Sequence, residues 1–172
     1  MHTFIYLINQ KRFMLTSFNS YRRIRYPTQT QVEIWDLKRN RILGKKIAKQ
    51  KEISPAFVSK AFVEAKKRIK ALLEETARSN KTTLGLIDES IGFAKGYNHT
   101  FNVTSYITFS PKNGIQVWYD HEGECVECER YGQCRKIILQ EYKERNIKID
   151  NPQLRPTDLG KQLFEILEER AK

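Results

Sequence analysis

The chain contains no long hydrophobic run and has few cysteines, glycines and prolines. Its 172 residues include 3 cysteines, 8 glycines and 5 prolines. The apolar stretch at residues 1–8 is too short to cross a bilayer and is followed at once by polar and basic residues, so neither a transmembrane helix nor a signal peptide is expected. Because 40% of the residues are apolar, the chain can form a core of one or two domains.

Common catalytic motifs are missing from the sequence. It has no glycine-rich phosphate loop, no His-Glu-x-x-His pair and no Gly-x-Ser-x-Gly turn. Asp120 and His121, with nearby glutamates, suggest a divalent-metal nuclease site. The neighbouring cysteines argue against it, because thiolates favour a closed site of soft ligands without an open position. We therefore expect a protein that is not an enzyme.

Positive charge is concentrated in the first half of the chain. Residues 1–81 hold 19 Lys and Arg against 6 Asp and Glu, whereas residues 82–172 hold 12 against 14. A solvated charged face is the simplest explanation of such a pattern. A basic half joined to a mildly acidic half is also what a polyanion-binding protein shows, so the first half is the candidate nucleic-acid interface.

Capping residues predict where the first helix begins and ends. Thr28 precedes Gln31 by three residues, a spacing that allows each side chain to cap the other's backbone N–H, so a helix is expected from about Gln29. Asn40 tolerates the left-handed conformation and falls where this helix should stop. An N-terminal arm is predicted before the helix, in residues 1–27. Its Arg22, Arg23 and Arg25 form either a basic arm that contacts DNA or part of a disordered tail.

A short second helix and a long third helix are predicted next. The second covers about Leu43 to Gln50, and Ser54 followed by Pro55 gives the third an N-cap and a proline at its first position. Apolar residues then recur at steps of four and three along one stripe, while lysines and an arginine occupy the other faces. The members of the stripe are Val58, Phe62, Ala65, Ile69 and Leu72.

These patterns together resemble a known DNA-binding motif. Residues 28–75 are similar to the helix-turn-helix of region 4 of bacterial sigma factors, of LuxR-type regulators and of archaeal Tfx-type regulators. The matching segments are Thr28-x-x-Gln31-x-Glu33-Ile34-Trp35-x-Leu37, Lys46-Ile47-Ala48 and Ile53-Ser54-x-x-x-Val58. Three positions depart from the pattern: Leu43 replaces a capping Ser or Thr, Asn40 replaces a loop glycine, and Glu52 occupies a turn position that is most often glycine.

The resemblance implies that the beginning of the third helix faces the major groove of double-stranded DNA. The residues carried over to that face are Ser54, Pro55, Ala56, Ser59, Lys60 and Val63. Flanking lysines are expected to contact phosphates, namely Lys45, Lys46, Lys49, Lys51, Lys66 and Lys67. Six such contacts predict a log-log salt slope on the order of −5. The alternative is a three-helix scaffold that binds another protein.

The second half is predicted to be a small α+β unit. Alternating residues and the Asn113-Gly114 turn signal predict a hairpin from about Phe101 to Tyr119. Residues 81–97 are either a further strand or a connector. Two helices follow, one from about Arg135 to Arg145 and one from Pro156, whose stripe either pairs across a two-fold axis in a homodimer or packs within the chain. That stripe consists of Leu159, Leu163, Ile166 and Leu167.

All the cysteines lie within ten residues, in the pattern His121-x3-Cys125-x2-Cys128-x5-Cys134. This spacing is typical of a tetrahedral metal site, so the four residues are predicted to bind Zn²⁺. An iron–sulfur cluster is the rival cofactor, and His99 or Asp120 could replace His121. The odd number of cysteines argues against a closed disulfide set. Three unliganded cysteines remain the alternative.

The sequence therefore predicts an α+β protein with an N-terminal arm at residues 1–27, a helix-turn-helix domain at 28–80 and a metal-binding, regulatory or dimerisation domain at 81–172. The second domain combines a β-hairpin, a metal knuckle and a helix. The function expected is that of a cytoplasmic, sequence-specific transcriptional regulator. The alternatives are an iron–sulfur redox-sensing regulator and a sequence-independent nucleic-acid or chromatin-binding protein.

Overall fold

The computed structural model describes residues 25–120, 125 and 127–171. Within them are five helices and one antiparallel sheet of four strands, which confirms the α+β class. Most of the predicted basic arm, including Arg22 and Arg23, lies outside the described residues. The elements are α1 Gln29–Arg39, α2 Gly44–Gln50, α3 Pro55–Ser79, β1 Thr82–Asp88, β2 Phe93–Asn98, β3 Val103–Ser110, β4 Gly114–Tyr119, α4 Tyr131–Glu144 and α5 Pro156–Arg170.

The first helix has the predicted capping box. Thr28 Oγ1 accepts a hydrogen bond from the Gln31 N–H at 3.3 Å, and Gln31 Oε1 accepts one from the Thr28 N–H at 3.0 Å. The helix ends where expected, but the left-handed residue is Arg41, with φ 63°, rather than Asn40. The Asn40 side chain donates to the carbonyls of Asp36 and Glu144, at 3.0 and 3.1 Å. These hydrogen bonds fix the side chain of Asn40, and the change of chain direction occurs at the next residue, Arg41.

The sheet is a meander in which each strand pairs with the next along the chain. The predicted hairpin is present as β3 and β4, and Gly114 has the left-handed φ of 65° that the tight turn requires. The sequence predicted either a further strand or a connector for residues 81–97, and this segment contains β1 and most of β2. The helix α4 begins four residues earlier than predicted, because the Cys134 N–H already donates to the Arg130 carbonyl at 2.9 Å.

Helices cover both faces of the sheet. On one face, Trp35 and Ile69 of α1 and α3 pack in one apolar cluster with Phe109 of β3. On the other, Ile138 of α4 and Leu163 of α5 form a cluster with strand residues. The first cluster crosses the predicted domain boundary at residue 80, and the Trp35 ring lies 5.4 Å from that of Phe109. Residues 28–80 and the sheet therefore share a core.

The stripe on α5 packs within the chain. Leu159, Leu163 and Leu167 are fully buried against α4 and the sheet. Of the two alternatives for these leucines, intramolecular packing is the one observed. Homodimerisation through another surface stays a prediction. No helix in the described part of the chain has the length and apolarity needed to cross a bilayer.

Candidate nucleic-acid interface and cysteine pocket

The first three helices pack around a small apolar cluster of their own. Ile34 of α1 and Ile47 of α2 are fully buried, and Val58 of α3 lies between them. Ala48 at 5% exposure lets α2 and α3 approach, and its carbonyl accepts from the Ile53 N–H at 3.0 Å. The small and branched residues of the predicted motif therefore occupy the inward positions.

The turn between α2 and α3 contains a residue in the left-handed conformation. Glu52 has a φ of 55°. This conformation costs a residue with a Cβ atom roughly 1–2 kcal/mol, a cost that glycine does not carry. Glu52 stands where the families that this segment resembles most often have glycine. The backbone there has the conformation that favours glycine.

The ten residues assigned to the DNA interface are all exposed, and they lie on α2, on α3 and at the α3 N-cap. The exposure continues over the first two turns of α3, where Val58 and Ala61 are the inward residues. Neither the sheet nor the C-terminal helices cover this face. The ten are Lys45, Lys46, Lys49, Ser54, Pro55, Ala56, Ser59, Lys60, Val63 and Lys67.

Two of the six lysines expected to contact phosphate already have partners within the protein. Lys51 Nζ lies 2.5 Å from Glu33 Oε2. Lys66 Nζ lies 3.9 Å from Glu89 Oε1 and 5.4 Å from the centre of the Phe62 ring. An ion-paired lysine releases fewer counterions from DNA, so the expected number of phosphate contacts falls from six to the four of Lys45, Lys46, Lys49 and Lys67.

Large apolar side chains are exposed on the same face. Leu43 is 74% exposed, Val63 59% and Phe57 47%. Sequence reasoning did not assign Leu43 or Phe57 to the interface. The available signal was their position: Leu43 replaces a polar cap, and Phe57 precedes Val58 by one residue and so points about 100° away from the inward stripe. Exposed apolar groups within a polar surface are typical of binding sites.

The three cysteines line one pocket between β4, α4 and α5. Cys125 and Cys134 are buried and Cys128 is partly exposed. The pocket has a volume of about 70 Å³, and Trp118 and Phe164 contribute aromatic walls. The three cysteines predicted as metal ligands therefore line one pocket, although they come from an irregular segment and from the first turn of α4.

Burial and the other two cysteines shift the pKa of Cys134 in the same direction. Burial raises the pKa of Cys134, and the nearby sulfur atoms of Cys128 and Cys125 raise it further. The Cys125 thiol donates to Thr157 Oγ1 at 3.5 Å. Within the described residues, no group of three or more His, Cys, Asp or Glu side chains is arranged as a metal site.

The predicted fourth ligand, His121, lies outside the described residues. Of the two substitutes, Asp120 lines the cysteine pocket. His99 is engaged elsewhere, since its Nε2 lies 2.8 Å from Thr83 Oγ1 and its ring packs against that of Tyr97. Asp120 is therefore the better placed substitute.

Comparison with protein-family models, with curated proteins and with solved structures gives no match for this chain.

Proposed function

We propose that the protein is a sequence-specific DNA-binding regulator that reads the major groove with the beginning of α3. The observation that carries this proposal is a basic face that no other described part of the chain covers: all ten candidate contact residues are exposed, while the opposite side of the same helices is buried. A protein-binding scaffold, which the exposed Leu43, Phe57 and Val63 would also suit, is the weaker alternative because five of the ten candidate contact residues are lysines.

The placement of α3 suits insertion into the groove. The helix has 25 residues, which correspond to a length of about 37 Å. Its second half, from Ala65 to Ala77, packs with the sheet cluster, whereas its first turns contact only the small cluster of α1 and α2. The first turns of α3 are thus supported on one side by α1 and α2, and a single helix is narrow enough to enter a major groove about 12 Å wide.

The chemistry of the face divides into two kinds of contact. Lys60 can donate to base edges, and Phe57 and Val63 can contact thymine methyl groups. The Ser59 hydroxyl donates to the Pro55 carbonyl at 3.1 Å and can accept a further hydrogen bond. The lysines of α2 are placed to bind the phosphate backbone, which positions a protein on DNA without reading its sequence. Specificity is therefore assigned to α3 and general affinity to α2.

Replacing Lys60 and Lys46 separately tests this division. Lys60→Ala is expected to change the preferred sequence and to cost about 1–3 kcal/mol on the preferred site, because it removes a base contact. Lys46→Ala is expected to weaken all sequences alike. The preferred sequence is measured by selecting bound sequences from a random DNA pool, and the loss of affinity by binding measurements at fixed salt.

Lys112→Ala is the matched control, since Lys112 is exposed on the turn before β4, outside the proposed interface. If Lys60→Ala leaves both affinity and preference unchanged, the assigned recognition face is wrong. Equal affinity of the unmodified protein for every duplex supports the alternative of a sequence-independent nucleic-acid-binding protein.

We also propose that Cys125, Cys128, Cys134 and His121 bind Zn²⁺ as a structural site. The support is the convergence of three soft donors on one pocket, a donor set that zinc favours. When bound, the metal holds the thiols as thiolates and links β4 to α4. The Thr157 hydroxyl, close to Cys125, can then donate to that thiolate and orient it.

Metal analysis of the anaerobically purified protein tests this site. One equivalent of zinc is expected, and both Cys128→Ser and His121→Ala should lower the zinc content, whereas His99→Ala should not. A chelator should lower the melting temperature because binding free energy contributes to folding. Iron with labile sulfide would instead support the iron–sulfur alternative. A metal-free protein whose melting temperature does not change with the chelator would reject both the zinc site and the iron–sulfur cluster.

A further inference from the structure

A second site is formed by four arginines that line one cavity, and none of them lines the cysteine pocket. The cavity has a volume of about 150 Å³. A water molecule needs roughly 10–15 Å³ of such volume, so this space is large enough for a polyatomic ion. Its lining contains no acidic side chain and consists of Arg39, Arg41, Ile91, Arg145, Leu167 and Arg170.

Arg39 carries the strongest evidence for a ligand. Its side chain is 3% exposed, and its Nε and Nη1 atoms have no hydrogen-bond partner among the described residues. Its Nη2 is used, since it donates to Asp36 and, at 3.0 Å, to the Glu144 carbonyl. Two buried nitrogen atoms of this guanidinium, which carry three N–H groups, are thus left without an acceptor, which is an unfavourable arrangement.

The charges around the cavity are unevenly balanced. Asp36 pairs with Arg39, and Glu141 pairs with Arg145 at 2.9 Å. The charge of the partly buried Glu144 also acts on Arg39, so three carboxylates stand against the four arginines. Arg41 and Arg170 are exposed, and neither has an ion-pair partner within the described ranges. Burial lowers the pKa of Arg170, and the charges of Arg41 and Arg145 lower it further, so these guanidinium groups repel one another across the cavity.

Helix ends explain part of this clustering. Arg39, Arg145 and Arg170 lie at the C-termini of α1, α4 and α5, where the helix dipole favours a cation. This attraction stabilises the arginines but provides no acceptor for Nε and Nη1 of Arg39. An oxyanion would offset the excess positive charge at the cavity, and arginine binds phosphate in a two-bond geometry.

We propose that this cavity binds a phosphate group, either as inorganic phosphate or as the phosphomonoester of a small molecule. Arg39, whose guanidinium carbon lies 4.6 Å from the centre of the Trp35 ring, forms the inner side of the site. Arg41 and Arg170 lie at the exposed side and complete the charge around the anion. The site joins the α1–α2 connection to the ends of α4 and α5, independently of the proposed DNA face.

The test is calorimetric titration of the full chain with inorganic phosphate at constant ionic strength, repeated with glycerol phosphate. Saturable binding to the unmodified protein is expected. The double variant Arg41→Ala/Arg170→Ala should weaken it about 100-fold, because each charge-assisted hydrogen bond accounts for roughly tenfold. Tighter binding of the ester than of free phosphate identifies a phosphorylated small molecule as the ligand class, and the reverse identifies the free ion.

Lys136→Ala/Lys161→Ala is the matched control. It removes the same charge from exposed positions on α4 and α5, nine residues before Arg145 and Arg170. Arg39→Lys is a second test, because it keeps the positive charge but removes the planar guanidinium that can form two parallel hydrogen bonds. It should also weaken phosphate binding. Absence of phosphate binding to the unmodified protein overturns the proposal, as does equal affinity of the arginine double variant and the unmodified chain.

Discussion

Replacing Arg145 with Met is expected to lower the free energy of unfolding by about 3–5 kcal/mol, the range found when one partner of a buried ion pair is removed. Arg145 is 3% exposed and Glu141 is fully buried. Arg145 Nε lies 2.9 Å from Glu141 Oε2, so the substitution leaves a buried carboxylate without its counter-charge. The same guanidinium donates to the carbonyls of Ile91, Gly92 and Phe109.

Urea unfolding followed by fluorescence of the buried Trp35 and Trp118 measures this effect. Arg78→Met is the control, because the Arg78–Glu75 pair has the same charges but Arg78 is 66% exposed. Exposed pairs contribute about 0–1 kcal/mol. Glu141→Gln combined with Arg145→Met should recover part of the loss, since it removes the uncompensated charge. A cost below that of Arg78→Met would contradict the buried-pair interpretation.

The second large effect is the salt dependence of DNA binding, under the proposed function. With four phosphate contacts the log-log slope is expected near −3.6, which corresponds to about a 150-fold loss of affinity between 50 and 200 mM salt. The triple variant Lys45→Ala/Lys46→Ala/Lys49→Ala leaves one of those contacts, so its slope should be about −0.9. Alanine is the best helix former, so α2 is expected to remain folded.

Affinity measured at several salt concentrations by fluorescence anisotropy checks this result. The control is Lys112→Ala/Lys136→Ala/Lys161→Ala, which removes the same net charge from exposed positions outside the face. It should leave the slope unchanged. An equal reduction of the slope in both triple variants would mean that only net charge matters, and a slope near −5 in the unmodified protein would mean that Lys51 and Lys66 also contact phosphate.

Local signals predicted much of the fold. Side-chain caps act within four residues, so Thr28 with Gln31 and Ser54 with Pro55 placed the starts of α1 and α3 correctly. The Asn113-Gly114 turn likewise placed the hairpin. Each of these signals depends on a backbone geometry that nearby residues determine by themselves.

Long-range features were not visible in the sequence. Glu141 and Arg145 have the four-residue spacing of an ordinary exposed helix pair, so periodicity gave no sign that both are buried. The arginine cavity joins Arg39 and Arg170, which are far apart in the chain and approach only because α1, α4 and α5 end close together. The three cysteines, by contrast, lie within ten residues, so the sequence alone suggested that they act together.

The core shared across residue 80 constrains how this protein can evolve. Trp35 donates to the Glu89 carbonyl at 2.9 Å, and its ring packs on Phe109, so a residue of the first helix is enclosed by the sheet. A gene segment ending at residue 80 would encode helices with a large apolar face and no cover for it. The two halves are therefore expected to be inherited together, and changes in the size of Phe109 should be accompanied by compensating changes at Trp35.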